Sequence, residues 1–519
     1  MLAERLWVAA LLVTGASPAL ADGPAGSGVH YVRACTGPGI RCGVLIAAPD
    51  AQPAGPAAPA LALPIDISNL TPADIQAAYH IDPSLGTGVT IAVVDAYRYA
   101  KLESDLAAYR KRFGLPACTT ASGCLRIVNE EGLPSPLPAG TDAGWEAETA
   151  LDVDMVSAAC PKCNIVVVQT EAGKLDAGTR AAAAMAVDAI SASWGSIENG
   201  GELSRETSFQ HTGVGTFAAS GDNAYDSGGD GPEYPATSQF VIAVGGTKLK
   251  KSSLGTSFSE TAWTLAGSSC STSIAAPSYQ PAAASGACNM RASSDVSAEA
   301  DPNTGVAVYE SSAGGWLNVG GTSAATPIVA ALMAASGHGD ITPEFIYRHP
   351  EAFHDVTSGN NGTCGTTLCN AGSGWDGPTG IGSPDQAALV AIGGGTGPTI
   401  AITSPADGSH QDAGFPIDVT AGAGTVHVDL AVDGVRVRVA GAPFGLTTPL
   451  DMTSGTHDFV VSAFDNDHNV QTTSITVDVA AASGGGCSTS GGAGGIGLGL
   501  LGVVLVTTRR RRRIFPLGM

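Results

Sequence analysis

Gly320–Pro327 reads Gly-Gly-Thr-Ser-Ala-Ala-Thr-Pro and places Ser323 at the start of a predicted helix, whose body is the apolar run Ile328–Met333. The two glycines allow another backbone to approach closely. The free N–H groups at a helix N-terminus stabilise a developing negative charge. A hydroxyl nucleophile gains most from such a setting, so this stretch predicts that Ser323 is a nucleophile.

The proton acceptor that the sequence offers Ser323 is a carboxylate. No histidine stands in a His-Gly-Thr-His setting, whereas Glu148 and Asp152 lie four residues apart in a predicted helix, Glu146–Ala159. This spacing puts both side chains on one helix face. Two close carboxylates share a proton, and a carboxylate base still works at acidic pH, where histidine is protonated. The alternative is a solvated acidic helix face.

The region around these residues, from Leu70 to Ile392, alternates strands with helices. This pattern predicts an α/β fold with a doubly wound parallel sheet, in which ligands bind beyond the carboxyl ends of the strands. The predicted strands are Gly88–Asp95, Asn164–Gln169, Ala189–Ser191, Val214–Ala219 and Phe240–Val244, and the remaining predicted helices are Leu102–Phe113 and Ala177–Val187.

A second unit follows the glycine-rich stretch Gly393–Pro398. Short runs of alternating polar and apolar residues predict a small all-β, immunoglobulin-like sandwich over 398–481. The predicted strands are Thr399–Ile402, Val426–Leu430, Asp458–Val461 and Ser474–Val477. No site residue stands out there, so we expect a spacer or an adhesion module.

The two ends of the chain indicate export. Residues 1–21 have the charge, apolar run and small-residue cleavage site of a signal peptide. Residues 22–68 form an Ala-, Pro- and Gly-rich segment that we expect to be a propeptide or small N-terminal lobe with a linker. Residues 483–519 hold a glycine-rich linker, an apolar stretch and an arginine cluster, which predict sorting to the cell surface or a membrane anchor.

The net charge and the cysteine content restrict the kinds of partner and the cellular location that this chain can have. The net charge of −22 argues against nucleic acid as a partner. Ten of the 11 cysteines fall into neighbouring pairs, which in an exported chain predict local disulfides. One pair, Cys160/Cys163, also has the spacing of a zinc or redox site. The other pairs are Cys35/Cys42, Cys118/Cys124, Cys270/Cys288 and Cys364/Cys369.

Residues 69–394 resemble the sedolisins, the serine-carboxyl peptidases with the subtilisin fold. The resemblance rests on an ordered set of motifs: Trp145–Asp152, Ser191–Gly195, Ser220–Asp222, Asp295–Ala298, Ala300–Gly305 and Gly320–Pro327. The tail is similar to the C-terminal sorting tails of myxobacterial exported proteins.

The resemblance implies a role for each catalytic candidate. Glu148 would be general base and acid toward Ser323, and Asp152 would orient Glu148. Asp222, otherwise a turn-capping residue, would line the oxyanion hole as a protonated acid and so confine activity to acidic pH. We expect Asp95, at the end of a strand, to be supporting or structural.

Two further sites follow from the resemblance. Ser193, Trp194 and Gly195 would present a backbone edge that pairs with the substrate peptide. One structural Ca²⁺ would be held by side chains or carbonyls of Asp355, Val356, Gly372, Gly374 and Asp376, although turn formation alone also explains these residues.

The sequence thus predicts an exported, monomeric endopeptidase that cuts protein or peptide substrates at acidic pH. The alternatives are an ordinary subtilisin-like peptidase active near neutral pH and an inactive domain displayed as an adhesin. Only about 45 residues lie between the signal and the catalytic pattern, which is short for the folded propeptide often found in the family.

Overall fold

The computed structural model describes residues 29–35, 39–49, 70–393, 395–433, 435–450 and 452–480. The predicted signal peptide and the predicted C-terminal tail lie outside these residues. Within the described part of the chain, no helix is long and apolar enough to cross a membrane.

The elements of the N-terminal and catalytic parts follow one another in the predicted α/β order. The first half contains β1 (Val29–Arg33), β2 (Arg41–Cys42), β3 (Leu45–Pro49), α1 (Pro72–Ala78), β4 (Thr90–Ala96), α2 (Leu102–Arg112), β5 (Leu125–Val128), α3 (Ala143–Ala159), β6 (Asn164–Thr170), α4 (Leu175–Ala183), β7 (Ala189–Ala192), β8 (Trp194–Ile197), α5 (Glu202–Arg205) and β9 (Gly215–Ala219). The second half contains β10 (Glu233–Tyr234), β11 (Val241–Lys251), β12 (Phe258–Ala262), β13 (Ser269–Ala275), α6 (Ala282–Cys288), β14 (Met290–Ser293), β15 (Val296–Glu299), β16 (Val306–Glu310), β17 (Gly315–Gly320), α7 (Thr322–Ala335), α8 (Pro343–Arg348), β18 (Phe353–His354), β19 (Ser383–Pro384) and α9 (Gln386–Leu389).

An eight-stranded sheet organises the catalytic part. Its order is β12-β11-β9-β7-β4-β6-β5, with β15 also paired to β11, and all pairs except β11–β12 are parallel. Helices α3 and α7 pack against each other and against the sheet, and α4 packs on β4, β6 and β7. The inner strands β4, β6, β7 and β9 are buried along almost their whole length, as expected of parallel strands covered by helices, whereas the edge strands β5 and β12 are partly exposed.

Local signals explain where two helices depart from the prediction. Helix α3 begins at Ala143 rather than Glu146, because the Asp142 side chain accepts hydrogen bonds from Gly144 N and Trp145 N. Helix α4 ends at Ala183, before the predicted end, and Ala186 has a φ of 53° that no helix allows.

The C-terminal part forms two sheets around a core of its own. The elements are β20 (Ile400–Ser404), β21 (His410–Gln411), β22 (Pro416–Ala421), β23 (His427–Val432), β24 (Val435–Ala440), β25 (Leu446–Thr447), β26 (Gly455–Phe464) and β27 (Val470–Val479). One sheet has the order β20-β22-β25 and the other β21-β27-β26-β23-β24. Buried residues such as Ile417, Leu430 and Phe459 share one apolar cluster. The immunoglobulin-like classification stays a prediction.

Asp340, shortly after α7, links the two parts. Its Oδ2 lies 2.8 Å from His427 Nε2, and its Oδ1 lies 2.7 Å from His468 Nε2. All three side chains are buried, and both histidines belong to the C-terminal sheets or their turns.

All five predicted disulfides are formed. The bonds are Cys35–Cys42, Cys118–Cys124, Cys160–Cys163, Cys270–Cys288 and Cys364–Cys369. The Cys160–Cys163 pair is therefore a local bridge in this structure rather than half of a zinc site.

Candidate active site

Ser323 is the second residue of α7, immediately after the turn at Gly321, whose φ is 119°. A Cβ on Gly321 would lie 1.8 Å from Gly43 O, so this position requires glycine both for its backbone conformation and for space. Ser323 Oγ accepts a hydrogen bond from Gly43 N at 3.1 Å and donates one to Ser193 O at 3.3 Å. Pro327 has no N–H for the Ser323 carbonyl, which accepts a long bond from Ser193 Oγ at 3.5 Å.

Three carboxyl groups lie buried beside this serine. Glu148 and Asp152 are on α3, Asp95 is near the end of β4, and each side chain is 0% exposed. Burial raises the pKa of Asp95 to about 7. Burial, and then the charges of Asp152 and Asp95, raise the pKa of Glu148 well above its usual value. Burial, and then the charge of Asp95, raise the pKa of Asp152 well above its usual value, although the hydrogen bond from Ser193 opposes the rise. The solvated-face alternative for this pair is therefore wrong, because α3 is covered on nearly all sides.

The carboxyl oxygens of Glu148 have no hydrogen-bond partner among the described residues. The nearby Ser323 hydroxyl favours the ionised form of Glu148 and so opposes the rise in its pKa. No hydrogen bond of good geometry joins them, since that hydroxyl points to Ser193 O. Asp152 is held by Ser193 Oγ, which donates to its Oδ1 at 2.7 Å. The Ser323 hydroxyl and the Glu148 carboxyl group are nevertheless neighbours, because the hydroxyl affects the pKa of Glu148.

Asp222 lies on the other side of Ser323. Its Oδ1 accepts hydrogen bonds from Thr322 N at 2.7 Å and Thr322 Oγ1 at 2.9 Å, while its buried Oδ2 has no partner among the described residues. A Cβ on Gly43 would lie 2.9 Å from that free oxygen. Burial raises the pKa of Asp222 to about 7, although the positive charge of Arg33 opposes the rise. A protonated Oδ2 would therefore point at whatever occupies the position of Gly43.

The edge of β8 is already paired, with the chain's own N-terminal segment. In the antiparallel pair β2–β8, Arg41 lies opposite Gly195 and Cys42 opposite Trp194. Continued by one residue, this register brings Gly43 opposite Ser193, which is where the Ser323 hydroxyl lies. The edge that was predicted to bind a peptide thus binds one within the same molecule.

The side chains of this edge have structural tasks. Trp194 is 1% exposed, and its Nε1 donates to Val94 O at 3.0 Å, so its indole belongs to the core. Ser193 positions Asp152 through its hydroxyl. Only the backbone of Ser193, Trp194 and Gly195 is available to a substrate.

Sequence reasoning missed Arg33. Its guanidinium donates to Asp222 O at 2.7 Å and to Asn223 Oδ1 at 2.6 Å. The Cys35–Cys42 disulfide joins the strand that carries Arg33 to the strand that lies on β8. No sequence motif marks this arginine, although its closeness to a predicted disulfide was a usable signal.

The predicted calcium ligands do come together. They are Asp355, Val356, Gly372, Gly374 and Asp376. Gly374 N donates to Asp355 Oδ2 and Gly372 N to Asp376 Oδ2, both at 2.9 Å. Burial raises the pKa of Asp376 to about 7, with a contribution from the charge of Asp355, whose buried Oδ1 has no partner among the described residues. Carboxylate oxygens are ligands that suit a hard cation. In the described residues, no group of three or more His, Cys, Asp or Glu is arranged to hold a metal.

The other acidic residues of α3, Glu146 and Asp154, have partners outside the carboxyl cluster. Glu146 is partly exposed, and its pKa is raised by burial and by the charge of Glu310. Asp154 accepts a hydrogen bond from Tyr309 N at 3.0 Å.

Comparisons with known proteins show similarity to subtilases. The model of the subtilase family matches residues 140–346. Kumamolisin of Bacillus sp. is 33% identical over 350 residues, which are 60% of this chain and 62% of kumamolisin. Sedolisin of Pseudomonas sp. is 38% identical over 177 residues, which are 30% of each chain. The chain therefore spans less than two thirds of the length of these relatives.

A solved structure extends the similarity to the fold. Pseudomonas sedolisin, described as a serine-carboxyl proteinase complexed with two molecules of pseudo-iodotyrostatin, superposes with a TM-score of 0.54 at 25% identity. The superposition covers 62% of this chain and 97% of sedolisin. Together the comparisons show that this part of the chain is similar to subtilases and shares the fold of sedolisin.

Proposed function

We propose that this protein is an exported, monomeric serine-carboxyl endopeptidase that cleaves protein or peptide substrates at acidic pH. The observation that carries the proposal is the convergence of Ser323, Glu148 and Asp222 on one point beside an occupied peptide-binding edge. An inactive adhesin has no need for three mutually perturbed acids around a serine hydroxyl.

In the first step, Ser323 Oγ attacks the carbonyl carbon of the bond to be cut, and its proton passes to Glu148. The proton then moves to the leaving amine as the bond breaks, and an acyl-enzyme remains. Water repeats the sequence and releases the acid product. Asp152 and Asp95 keep one proton shared within the carboxyl cluster, so Glu148 can accept a proton without a second bare charge beside it.

Asp222 and the Ser323 N–H stabilise the oxyanion that forms in each step. Thr322 fixes Asp222 Oδ1 as the accepting oxygen, which leaves Oδ2 to carry the proton. The donor is present below the pKa of Asp222, about 7, and is lost as pH rises through that value. This is the physical support for an acidic optimum.

The N-terminal segment acts in this proposal as an inhibitory propeptide. It covers Ser323 with Gly43 and Asp222 with Arg33, so substrate can enter only after the segment has moved or been cut. The segment is short for a propeptide, but strand pairing also holds it in place. Its strand β3 pairs with β17, the strand that ends just before Ser323.

Calcium is proposed as a structural ion at Asp355 and Asp376, with carbonyls of Val356, Gly372 and Gly374. The unpartnered Asp355 Oδ1 and the mutual repulsion of the two carboxylates fit a divalent cation. When bound, the ion would neutralise that repulsion and fix the loop between them.

Export is supported by the five disulfides of the described residues, which form in oxidising compartments. The proposal therefore expects the active protein in the culture medium or at the cell surface. The segments that would direct sorting or anchoring lie outside the described residues.

The decisive test is cleavage of a denatured protein by the secreted chain between pH 3 and 8. Ser323→Ala and Glu148→Gln are each expected to lose at least about a thousand-fold in rate. Glu146→Gln is the matched control, since it makes the same change two residues away on the same helix. A neutral optimum that survives Glu148→Gln would favour the ordinary subtilisin-like alternative. If the protein without its N-terminal segment has no activity at any pH, the result would favour the alternative of an inactive domain displayed as an adhesin.

A further inference from the structure

We propose that Glu233 makes the pocket beside Ser323 selective for a basic side chain, arginine or lysine, on the residue immediately before the cleaved bond. The inference rests on the proposed function and specifies its substrate class. It begins from the pocket bounded by the β8 edge, the Gly221–Asp222 turn and the start of β10, where Glu233 stands.

The Glu233 carboxylate lies between two glycine walls. A Cβ on Gly195 would lie 3.0 Å from Glu233 Oε2, and a Cβ on Gly221 would lie 2.7 Å from Glu233 Oε1. Gly221 also has a φ of 104°, which disfavours other residues. Gly195 and Gly221 therefore place no side chain beside the Glu233 carboxylate. A side chain that enters the pocket meets this carboxylate directly.

Neighbouring groups hold this carboxylate in place. Ser227 Oγ donates to Glu233 Oε1 at 2.9 Å, and Asn223 Nδ2 donates to the same oxygen at 3.2 Å. Backbone pairing of Glu233 with Ile197 fixes the strand that carries it to β8. A carboxylate fixed in a partly buried pocket selects a cation more strongly than one on a mobile surface side chain.

The protein itself already places a guanidinium in this pocket. Arg33 lines it together with Glu233 and donates to Asp222 O and Asn223 Oδ1. The negative charges of Asp222 and Glu233 raise the pKa of Arg33 and partly offset the effect of its burial. The pocket therefore already holds a guanidinium, which meets two hydrogen-bond acceptors and the negative charges of Asp222 and Glu233.

The register of the N-terminal strand assigns the pocket to the residue before the cut. Gly43 is the residue next to Ser323, and it brings no side chain of its own. A Cβ there would lie 2.8 Å from Ser323 Oγ, so only glycine follows this inhibitory course. Gly43 itself lines the pocket, so a substrate residue at this register borders it, and we assign the side chain of that residue to the space beside Glu233 that Arg33 lines here.

Cleavage of a matched peptide set tests the assignment. Quenched peptides that differ only before the cut, with Arg, Lys, Leu or Glu, are assayed at the optimal pH with the processed full-length product. The expected kcat/KM for Arg and Lys exceeds that for Leu by about 10- to 100-fold. Glu233→Gln is expected to abolish the preference, and Glu233→Lys to favour Glu. Glu130→Gln, an acid-to-amide change after the edge strand β5, is the control.

A binding measurement makes the inference independent of turnover. Benzamidine, a small amidinium probe, is titrated calorimetrically into full-length Arg33→Ala/Ser323→Ala, in which the pocket is open and processing is blocked. Binding is expected there and should fall about ten-fold or more when Glu233→Gln is added. Melting temperatures of the variants confirm that each is folded.

The outcomes separate the two proposals. Ser323-dependent cleavage without a basic preference overturns the role of Glu233 and leaves the proposed function standing. Benzamidine binding that requires Glu233, without any cleavage, supports the pocket and counts against the peptidase. Folded Arg33→Ala/Ser323→Ala that binds no benzamidine overturns the pocket assignment whatever the cleavage result.

Discussion

Replacing Asp222 with asparagine should flatten the alkaline side of the pH profile. Thr322 N and Oγ1 both donate to Asp222 Oδ1, so the amide oxygen of asparagine is expected to take that place. Its Nδ2 would then replace the free Oδ2 and face the substrate carbonyl. An amide donates a hydrogen bond at every pH, whereas the carboxyl donates only while it is protonated.

The size of the effect follows from the pKa of Asp222, about 7. At pH 5 roughly 99% of the acid form is present, and at pH 8 roughly 9% remains. Oxyanion stabilisation by Asp222 should therefore fall about ten-fold across this interval in the parent enzyme. In Asp222→Asn the oxyanion stabilisation by residue 222 should not change with pH. The highest kcat/KM of the variant should be lower by about ten-fold or more, because the amide is a weaker hydrogen-bond donor.

The assay is kcat/KM for one neutral peptide at pH 5, 6, 7 and 8, measured with processed enzyme. The informative quantity is the ratio of kcat/KM at pH 5 to kcat/KM at pH 8. This ratio does not depend on how much lower the overall activity of the variant is. Asp226→Asn makes the same change four residues away, at a φ of 53° that asparagine tolerates. Return of each sample from pH 8 to pH 5 before assay excludes irreversible unfolding.

Two results would refute the reasoning. If Asp222→Asn falls about ten-fold between pH 5 and pH 8, as the parent does, another group controls the alkaline limb. The carboxyl cluster of Glu148, Asp152 and Asp95 would then be responsible, since it also changes charge there. If Asp226→Asn flattens the profile equally, the effect belongs to the turn and not to the oxyanion donor.

Two further predictions concern stability. Removal of calcium by a chelator should lower the melting temperature near neutral pH. Asp376→Asn should abolish this response, because the substitution removes the charge repulsion between residue 376 and Asp355. An unchanged melting temperature in the parent protein would count against the ion. Asp340→Asn should uncouple the C-terminal sheets from the catalytic part at a cost of about 3–5 kcal/mol, seen as a separate calorimetric transition at pH 5. The ion pair between Asp340 and His468 is strongest between the lowered pKa of Asp340 and the raised pKa of His468.

Much of the catalytic fold was predictable because its signals are local. Strand β4 is a short β-branched apolar run, and α7 begins where two glycines meet an apolar segment. The spacing of Glu148 and Asp152 fixes their relation on one helix whatever surrounds it. The order of the motifs then restricts the fold, so Ser323 and Asp222 could be placed beside them.

The N-terminal segment was not predictable in the same way. Its pairing with β8 joins residues about 150 positions apart, and two residues of strand carry no periodicity. The proximity of Arg33 to Asp222 depends on that long-range register. Asp95 was predicted to be supporting or structural, and its interaction with Glu148 could not be read from the sequence because it arises only when a strand end and a helix are packed together.

Arg33 and Asp222 connect inhibition with pH dependence. A positive charge beside Asp222 favours its ionised form, which is the form that cannot stabilise an oxyanion. While Arg33 is seated, the N-terminal segment therefore blocks the pocket and also weakens the acid donor. When the segment leaves, the positive charge of Arg33 leaves with it, and a neutral substrate that covers Asp222 restores the high pKa of this residue.

A basic substrate brings a positive charge back to the pocket. Its rate of cleavage should therefore fall at a lower pH than the rate for a neutral substrate. Charge in the pocket and protonation in the oxyanion hole are thus one coupled equilibrium.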